Sequence, residues 1–490
     1  MAAIRVHTAV GARDAVDAVV VGAGPNGLAA AVALAMAGHS VHVIERHEEI
    51  GGGTRTAELT LPGLLHDVCS AVHPTGIASP FFCALPLTEH GLHWAHAEID
   101  LAHPLDDGSA GVMVASLQAT VAGLGDAGPA WQGIFGHLVR HWDALAEEIL
   151  QPLLHVPRHP LTLARFGLPA LLPATTLARR LPTEQARALF AGVAAHALQP
   201  LERPTTAGVG LLLTAAGHAA GWPVAVGGSR AITDALASLL RSLGGTIETG
   251  TDVTSLAQLP RCRVALFDVA PGAMARIAGE RMPRRVRRAY LRYRHGPAAF
   301  KVDLAVDGGI PWTADACRRA GTVHLGGTMT ELAAAEREVA AGRLPERPFV
   351  LVAQQYLADP SRSVGDVHPV WTYAHVPAGF SGNATDGLLS QLERFAPGTR
   401  ERIVGMHTWG PADFEAYNPN YVGGDIATGQ GDPIQAVFRP RFAVDPYATG
   451  IPGVFLCSAA TPPGAGVHGM AGFHAAQSAL RVLRRSRPQR

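Results

Sequence analysis

The stretch VVVGAGPNGLAAAVALAMAGHSVHVIER, Val19 to Arg46, decides the fold. The run "DAVVVG" is apolar and β-branched, the pattern of a strand buried in a parallel sheet. Gly22, Gly24 and Gly27 follow at G-x-G-x-x-G spacing. "PNGLAAAVALAMAG" then reads as a helix closed by Gly38, and "SVHVIE" as a second strand ending in Glu45. A lone G-x-G-x-x-G means little in a chain with 55 glycines. Here strand, helix and distal acid are all in place. Gly22 permits the tight turn, Gly24 lets the backbone approach a pyrophosphate, and Gly27 lets helix and strand pack closely. Pro25 and Asn26 open the helix, whose free N–H groups and positive dipole end receive the pyrophosphate. Glu45, followed by Arg46, accepts hydrogen bonds from the ribose hydroxyls, and its charge repels a 2′-phosphate. The fold class is therefore α/β, with a Rossmann-type dinucleotide-binding domain.

The remaining composition narrows the class. At 490 residues the chain exceeds the roughly 250–300 that one core supports, so more than one domain is expected. Forty basic and forty acidic side chains leave zero net charge, which argues against a nucleic-acid partner. No apolar run approaches the roughly 18 residues of a membrane span. The amino-terminal "MAAIRVHTAVGARDA" is broken by charge and lacks the apolar centre of a secretory signal. The five cysteines are scattered without a CxxC, against a disulfide framework or a dithiol redox centre. A soluble cytoplasmic protein is the expectation. Every basic residue but Lys301 is arginine.

"ERHEEIGGGTRT" places Gly51 and Gly52 shortly after Glu45, with Gly53 and Thr54 beyond. It resembles the second glycine motif of the large FAD family that includes amine oxidases and phytoene desaturases. The family form often has arginine after the pair; here Gly53 stands there and Arg55 comes two places later. The far end, "IPGVFLCSAATPPGAGVHGMAGFHAAQSALRVLRR", reads as strand, turn and helix, with basic residues at the helix C-terminus as the dipole prefers. A mid-chain unit, "VGGSRAITDALASLLRSLGGTIETGTDVTSL", reads as glycine turn, amphipathic helix and strand. Together with "CSAVHPTGIASPFF" (Cys69–Phe82), "HPLDDG" (His103–Gly108), "NPNYVGGDIATG" (Asn418–Gly429) and "FRPRF" (Phe438–Phe442), the chain resembles the phytoene-desaturase-type FAD oxidoreductases. Within them it resembles the branch named for pyridine nucleotide-disulfide oxidoreductase domains. No second dinucleotide motif and no dithiol accompany that likeness, so disulfide reduction is a poor reading.

The resemblance implies FAD as cofactor. It places Val253 at the adenine, and Ala459, Val467, His468, Gly469 and Met470 against the isoalloxazine ring, above the N-terminus of the last helix. It also implies an FAD domain of discontinuous segments, 1–75, 224–275 and 436–490. A helical cap or channel would cover 76–223, and a mixed-sheet substrate domain 276–435.

Flavin oxidation chemistry needs a C–H bond aimed at the flavin and a route for the proton. Lys301 ends the apolar run "GPAAFK"; in amine oxidases a lysine at a similar position holds a water beside flavin N5. A compact ammonium differs there from a planar guanidinium fork. His73 and His468 are candidate general bases because histidine titrates near neutrality. His90, His93 and His96 invite a metal, but the alternation of "LHWAHAEIDLA" splits them between faces, so no metal is expected. The expected function is an FAD-dependent desaturase or dehydrogenase, or a redox-neutral isomerase, acting on an apolar polyene, terpenoid or polyketide-like molecule. Oxygen or a quinone would be the electron acceptor, and contact with membranes would be peripheral. The alternatives are an FAD-dependent amine oxidase, for which paired aromatics flanking the flavin are expected, and a non-catalytic flavin-bearing binding protein.

Overall fold

A computed structural model describes residues 15–485. The amino-terminal stretch before residue 15 and the end of the basic "RRSRPQR" tail lie outside the described residues.

Val16–Val21 forms the centre of a five-stranded parallel sheet. Val41–Ile44 and then Thr246–Glu248 flank it on one side, Cys262–Phe267 and then Val454–Leu456 on the other. Three stretches far apart in sequence thus complete one sheet. The helix Pro25–Met36 is buried from Asn26 through Ala35 because it is covered by two others, Arg230–Ser242 and Met470–Arg485. Small residues make this possible. A Cβ on Gly472 would stand 1.9 Å from the Asn26 carbonyl oxygen, and one on Gly27 would stand 2.0 Å from that of Gly22. Neither contact is tolerable, so both positions require glycine.

The second sheet has seven strands. Ile403–Trp409, Ala298–Asp307, Val367–Val376, Val350–Ala353 and Ala320–Leu325 lie side by side and antiparallel. Ile99–Pro104 then pairs parallel to the last of these, and Ala110–Met113 closes the edge. These two strands depart from the helical reading of 76–223. "IDLAHPLDDGSAGVM" is a hairpin whose turn is fixed by Asp107, which accepts the Ser109 amide at 2.9 Å. The long helices follow afterwards, Gly128–Arg140, Trp142–Ile149, Pro160–Ala170, Glu184–Ala194 and Thr206–Ala220 among them.

Strand alternation sorts the side chains of the long central strand. Phe300, Val302 and Leu304 face an outer core shared with the helix Thr385–Phe395. Ala299, Lys301 and Asp303 face inward. Beside them, Leu351, Ala353, Trp371 and Tyr373 join one continuous core with the parallel-sheet domain and the helices. No helix among the described residues is long and apolar enough to cross a membrane.

Candidate active site

A cavity of about 530 Å³ runs along the carboxyl ends of the parallel strands. Gly22, Gly24, Pro25, Asn26, Glu45, Arg46, Gly52, Gly53, Thr54, Val253 and Ala459 line it. Its walls also include Ser458, Gly466 and Val467 from the last strand and turn, so all three chain segments contribute. Gly27, Gly51, His468, Gly469 and Met470 stand behind this wall. Gly469, for instance, packs its backbone against Phe82 and Ala29.

Glu45 ends the second strand with its carboxylate turned into the glycine loop. One oxygen accepts the Ala23 amide at 2.7 Å, the other the His47 amide at 3.0 Å. Each oxygen keeps a lone pair for a ribose hydroxyl. Arg55 lines the cavity with its guanidinium fixed by the carbonyls of Glu49 and Ile50, at 2.8–3.2 Å, and 3.5 Å from Glu45. The same guanidinium lies over the Tyr417 ring, 5.1 Å from its centroid.

Several wall residues were not singled out in the sequence: Ser70, Asp268, Arg276, Tyr417, Asn420 and Tyr421. The available signals were an acid directly after an apolar strand in "ALFDVAP" and the tyrosines within "AYNPNYVGG". Asp268 accepts the Gly27 amide at 2.9 Å. Burial raises its pKa to about 7, with Glu45 adding to the rise and the Gly27 bond opposing it. Tyr417 meets Trp409 edge-on at 4.9 Å, and Tyr421 bonds the buried Cys69 thiol.

The three candidate catalytic residues do not meet in this cavity. Lys301 is fully buried on the inner face of the large sheet. Its ammonium donates to Asp303 and lies 5.7 Å from the Trp371 ring centroid. Burial lowers its pKa, while Asp303 and then Cys69 hold it up. Lys301 therefore belongs behind the cavity wall, on the side where Cys69 and Tyr421 stand.

His73 is buried, and its Nε2 lies 2.7 Å from Ser229 Oγ. That hydroxyl donates to the Ser70 carbonyl at 2.7 Å, so the imidazole is the donor in the pair. His468 caps the terminal helix, its Nδ1 accepting the Met470 amide at 3.1 Å. Burial pushes both histidines down to about 4. They are neutral at pH 7; His73 Nε2 and His468 Nδ1 hold loops, while His73 Nδ1 is buried without a partner. His90 likewise bonds Ser238 Oγ at 2.9 Å.

Residues 20–82 match the model of the NAD(P)-binding Rossmann-like domain. The chain is 25% identical to pyridine nucleotide-disulfide oxidoreductase domain-containing protein 2 of Rattus norvegicus, covering 96% of this chain and 94% of that one. The Mus musculus protein of the same name matches equally, at 25% over the same shares. The chain is distantly homologous to both along nearly its whole length.

Among solved structures, an oxidoreductase from Methanosarcina mazei superposes with a TM-score of 0.61 at 17% identity, over 95% of this chain and 100% of that one. Putrescine oxidase bound to putrescine superposes at 0.60 with 18% identity, over 96% and 99%. Cyclohexylamine oxidase from Brevibacterium oxydans superposes at 0.54 with 16% identity, also over 96% and 99%. The α/β fold expected from the glycine motifs, a Rossmann-type domain joined to a mixed sheet, is the fold this chain shares with these oxidoreductases. The cavity suits FAD, with a glycine turn for the pyrophosphate, an acid for the ribose, and length to reach the terminal turn.

Proposed function

We propose that the chain is an FAD-dependent oxidoreductase that removes hydrogen from an apolar small molecule, as a desaturase or dehydrogenase. The observation that carries this reading is the cavity joining Glu45 and Val253 at one end to Gly466 and Val467 at the other. Bound there, FAD would supply a two-electron acceptor. The chain's own contribution is to bind and orient it. Gly24 and the Pro25–Met36 helix face the pyrophosphate, Glu45 faces the ribose, and the turn before the terminal helix supports the ring.

Apolar residues also line the cavity, Val253, Ala270, Ala273, Ile277 and Ile426 among them, which suits an apolar molecule. Neither His73 nor His468 lines the cavity. In this reading Lys301 holds the charge near the reacting end, and the substrate's proton leaves through water. Oxygen or a quinone completes the cycle as acceptor.

The amine-oxidase reading has one observation in its favour. Tyr417 and Tyr421 stand at the wall, linked behind it through Trp409 and Phe414, and such aromatic faces attract a substrate ammonium. The Arg55 guanidinium already takes a Tyr417 face. That face is not open to an incoming ammonium, so the apolar reading is preferred. Anaerobic mixing with candidate polyenes and with diamines, followed by flavin bleaching, separates the two.

A peripheral membrane contact fits the same substrate class. Leu154, Val156, Leu161, Leu168 and Leu171 are exposed on the helix Pro160–Ala170 and the chain leading into and out of it, with Arg158 among them. Leu161 and Leu168 share one helix face. An apolar stripe beside arginine suits shallow insertion at a bilayer surface.

A further inference from the structure

Asp268 follows the strand Cys262–Phe267 and turns its carboxylate under the glycine loop. Besides accepting the Gly27 amide, its Oδ2 stands 2.9 Å from where a Cβ on Gly24 would be. Gly24 is the backbone position that a pyrophosphate must approach closely. Asp268 therefore sits at the place where the phosphates arrive, and it lines the same cavity.

The donors of the helix N-terminus are few. Pro25 has none, and the Leu28 amide is bonded to the Gly24 carbonyl at 2.9 Å. The Gly27 amide is taken by Asp268, which leaves Asn26 as the free first-turn donor. An ionised Asp268 would compete with the pyrophosphate for this helix end and repel it.

The surroundings of Asp268 do not compensate its charge. Glu45 faces it from the second strand, and Cys457 lies near it beyond the last strand. Asn420 donates to the Asp268 main-chain oxygen at 3.1 Å, not to the carboxylate. Arg55 and Arg276 line the cavity, but no hydrogen bond or ion pair joins either to the Asp268 carboxylate. Burial and Glu45 raise its pKa to about 7.

We propose that Asp268 is a cofactor-binding residue that works as the neutral acid. It takes up one proton as FAD enters and donates its O–H to a pyrophosphate oxygen, so affinity for FAD is set by pH. This rests on reading the cavity as an FAD site. The sign follows from linkage. Below the pKa of the free protein Asp268 is already neutral, and affinity is level. Above it a proton must be drawn from solvent, and affinity falls by up to about tenfold per pH unit.

FAD titrated into the full-length, flavin-free protein tests this, with flavin fluorescence as the readout from about pH 6 to about pH 9. Affinity should hold level to near pH 7 and then fall by roughly tenfold per unit. Asp268→Asn keeps a donor without the charge, and its affinity should stay level throughout. Calorimetry in two buffers of different ionisation enthalpy should register uptake of about one proton per FAD on the alkaline side. This decides on the unmodified protein alone if the variant does not fold. Level affinity in the unmodified protein, or a fall that persists in Asp268→Asn, overturns the proposal and leaves the FAD reading standing. Failure of FAD to bind at any pH overturns both.

Discussion

Lys301 and Asp303 project from the same side of one strand, and the ammonium donates to the carboxylate where neither is exposed to water. The only lysine of the chain is thus half of a buried ion pair that faces the parallel-sheet domain. His66 Nδ1 stands 3.5 Å from the second Asp303 oxygen and adds the nearest further partner.

Removing one member of such a pair leaves the other buried and uncompensated. Lys301→Met should lower unfolding stability by about 3–5 kcal/mol, and Lys301→Met/Asp303→Leu should recover most of it. Denaturant midpoints of the single and double variants measure this. An unchanged midpoint in Lys301→Met would remove the ion pair from the account.

The same substitution separates stability from turnover. Lys301→Met should keep FAD, because the glycine turn and Glu45 lie elsewhere, while a chemical step slows by roughly 10–1000-fold. Lys301→Arg should also lose turnover, since the larger fork does not fit a fully buried site. Single-turnover reduction and oxygen-reaction rates identify the affected step. Normal rates in Lys301→Arg would return the lysine to a purely structural role.

Glu45→Ala removes the acceptor of both the Ala23 and His47 amides as well as the ribose contact. FAD affinity should fall by an amount equivalent to about 1–3 kcal/mol. Flavin fluorescence released on dilution reports the loss.

Acid should destabilise the protein through its buried histidines. His73, His103, His218 and His468 are each pushed down to about 4, primarily by burial. Unfolded, they would titrate near 6.5, so the unfolded chain binds more protons as pH falls through that window. Their stabilising contribution is full above about 6.5 and is lost progressively toward about 4. Urea midpoints should therefore fall over this range, and His73→Gln should flatten part of the slope. A midpoint independent of pH there would contradict the burial of these rings.

Vesicle sedimentation tests the exposed apolar stripe. Binding should be weak and salt-sensitive, and Leu161→Ser/Leu168→Ser should abolish it without changing the flavin spectrum. Equal binding by the double variant would place the contact elsewhere.

The sequence showed most where chemistry and neighbours are local. Gly22, Gly24, Gly27 and Glu45 are set by one strand–turn–helix–strand unit, and Gly22, Gly24 and Glu45 line the cavity. Asp268 escaped notice because its partner is 241 residues away in the chain and nothing local marks it. The hairpin of Ile99–Pro104 and Ala110–Met113 was read as part of a helical region because the strand it docks on, Ala320–Leu325, is remote in the chain. His73 and His468 show another limit. Residue type suggested a base, but burial and hydrogen bonding decide whether an imidazole is free to act, and both are tertiary properties.

The central claim is that this cavity holds FAD without a covalent bond. Heat denaturation of the purified protein, with flavin assayed in the supernatant and the pellet, tests it most directly. The account predicts release of about one FAD per chain to the supernatant, and loss of retained FAD in Glu45→Ala. Flavin that stays with the precipitate, or a protein that neither carries nor takes up FAD, would contradict it.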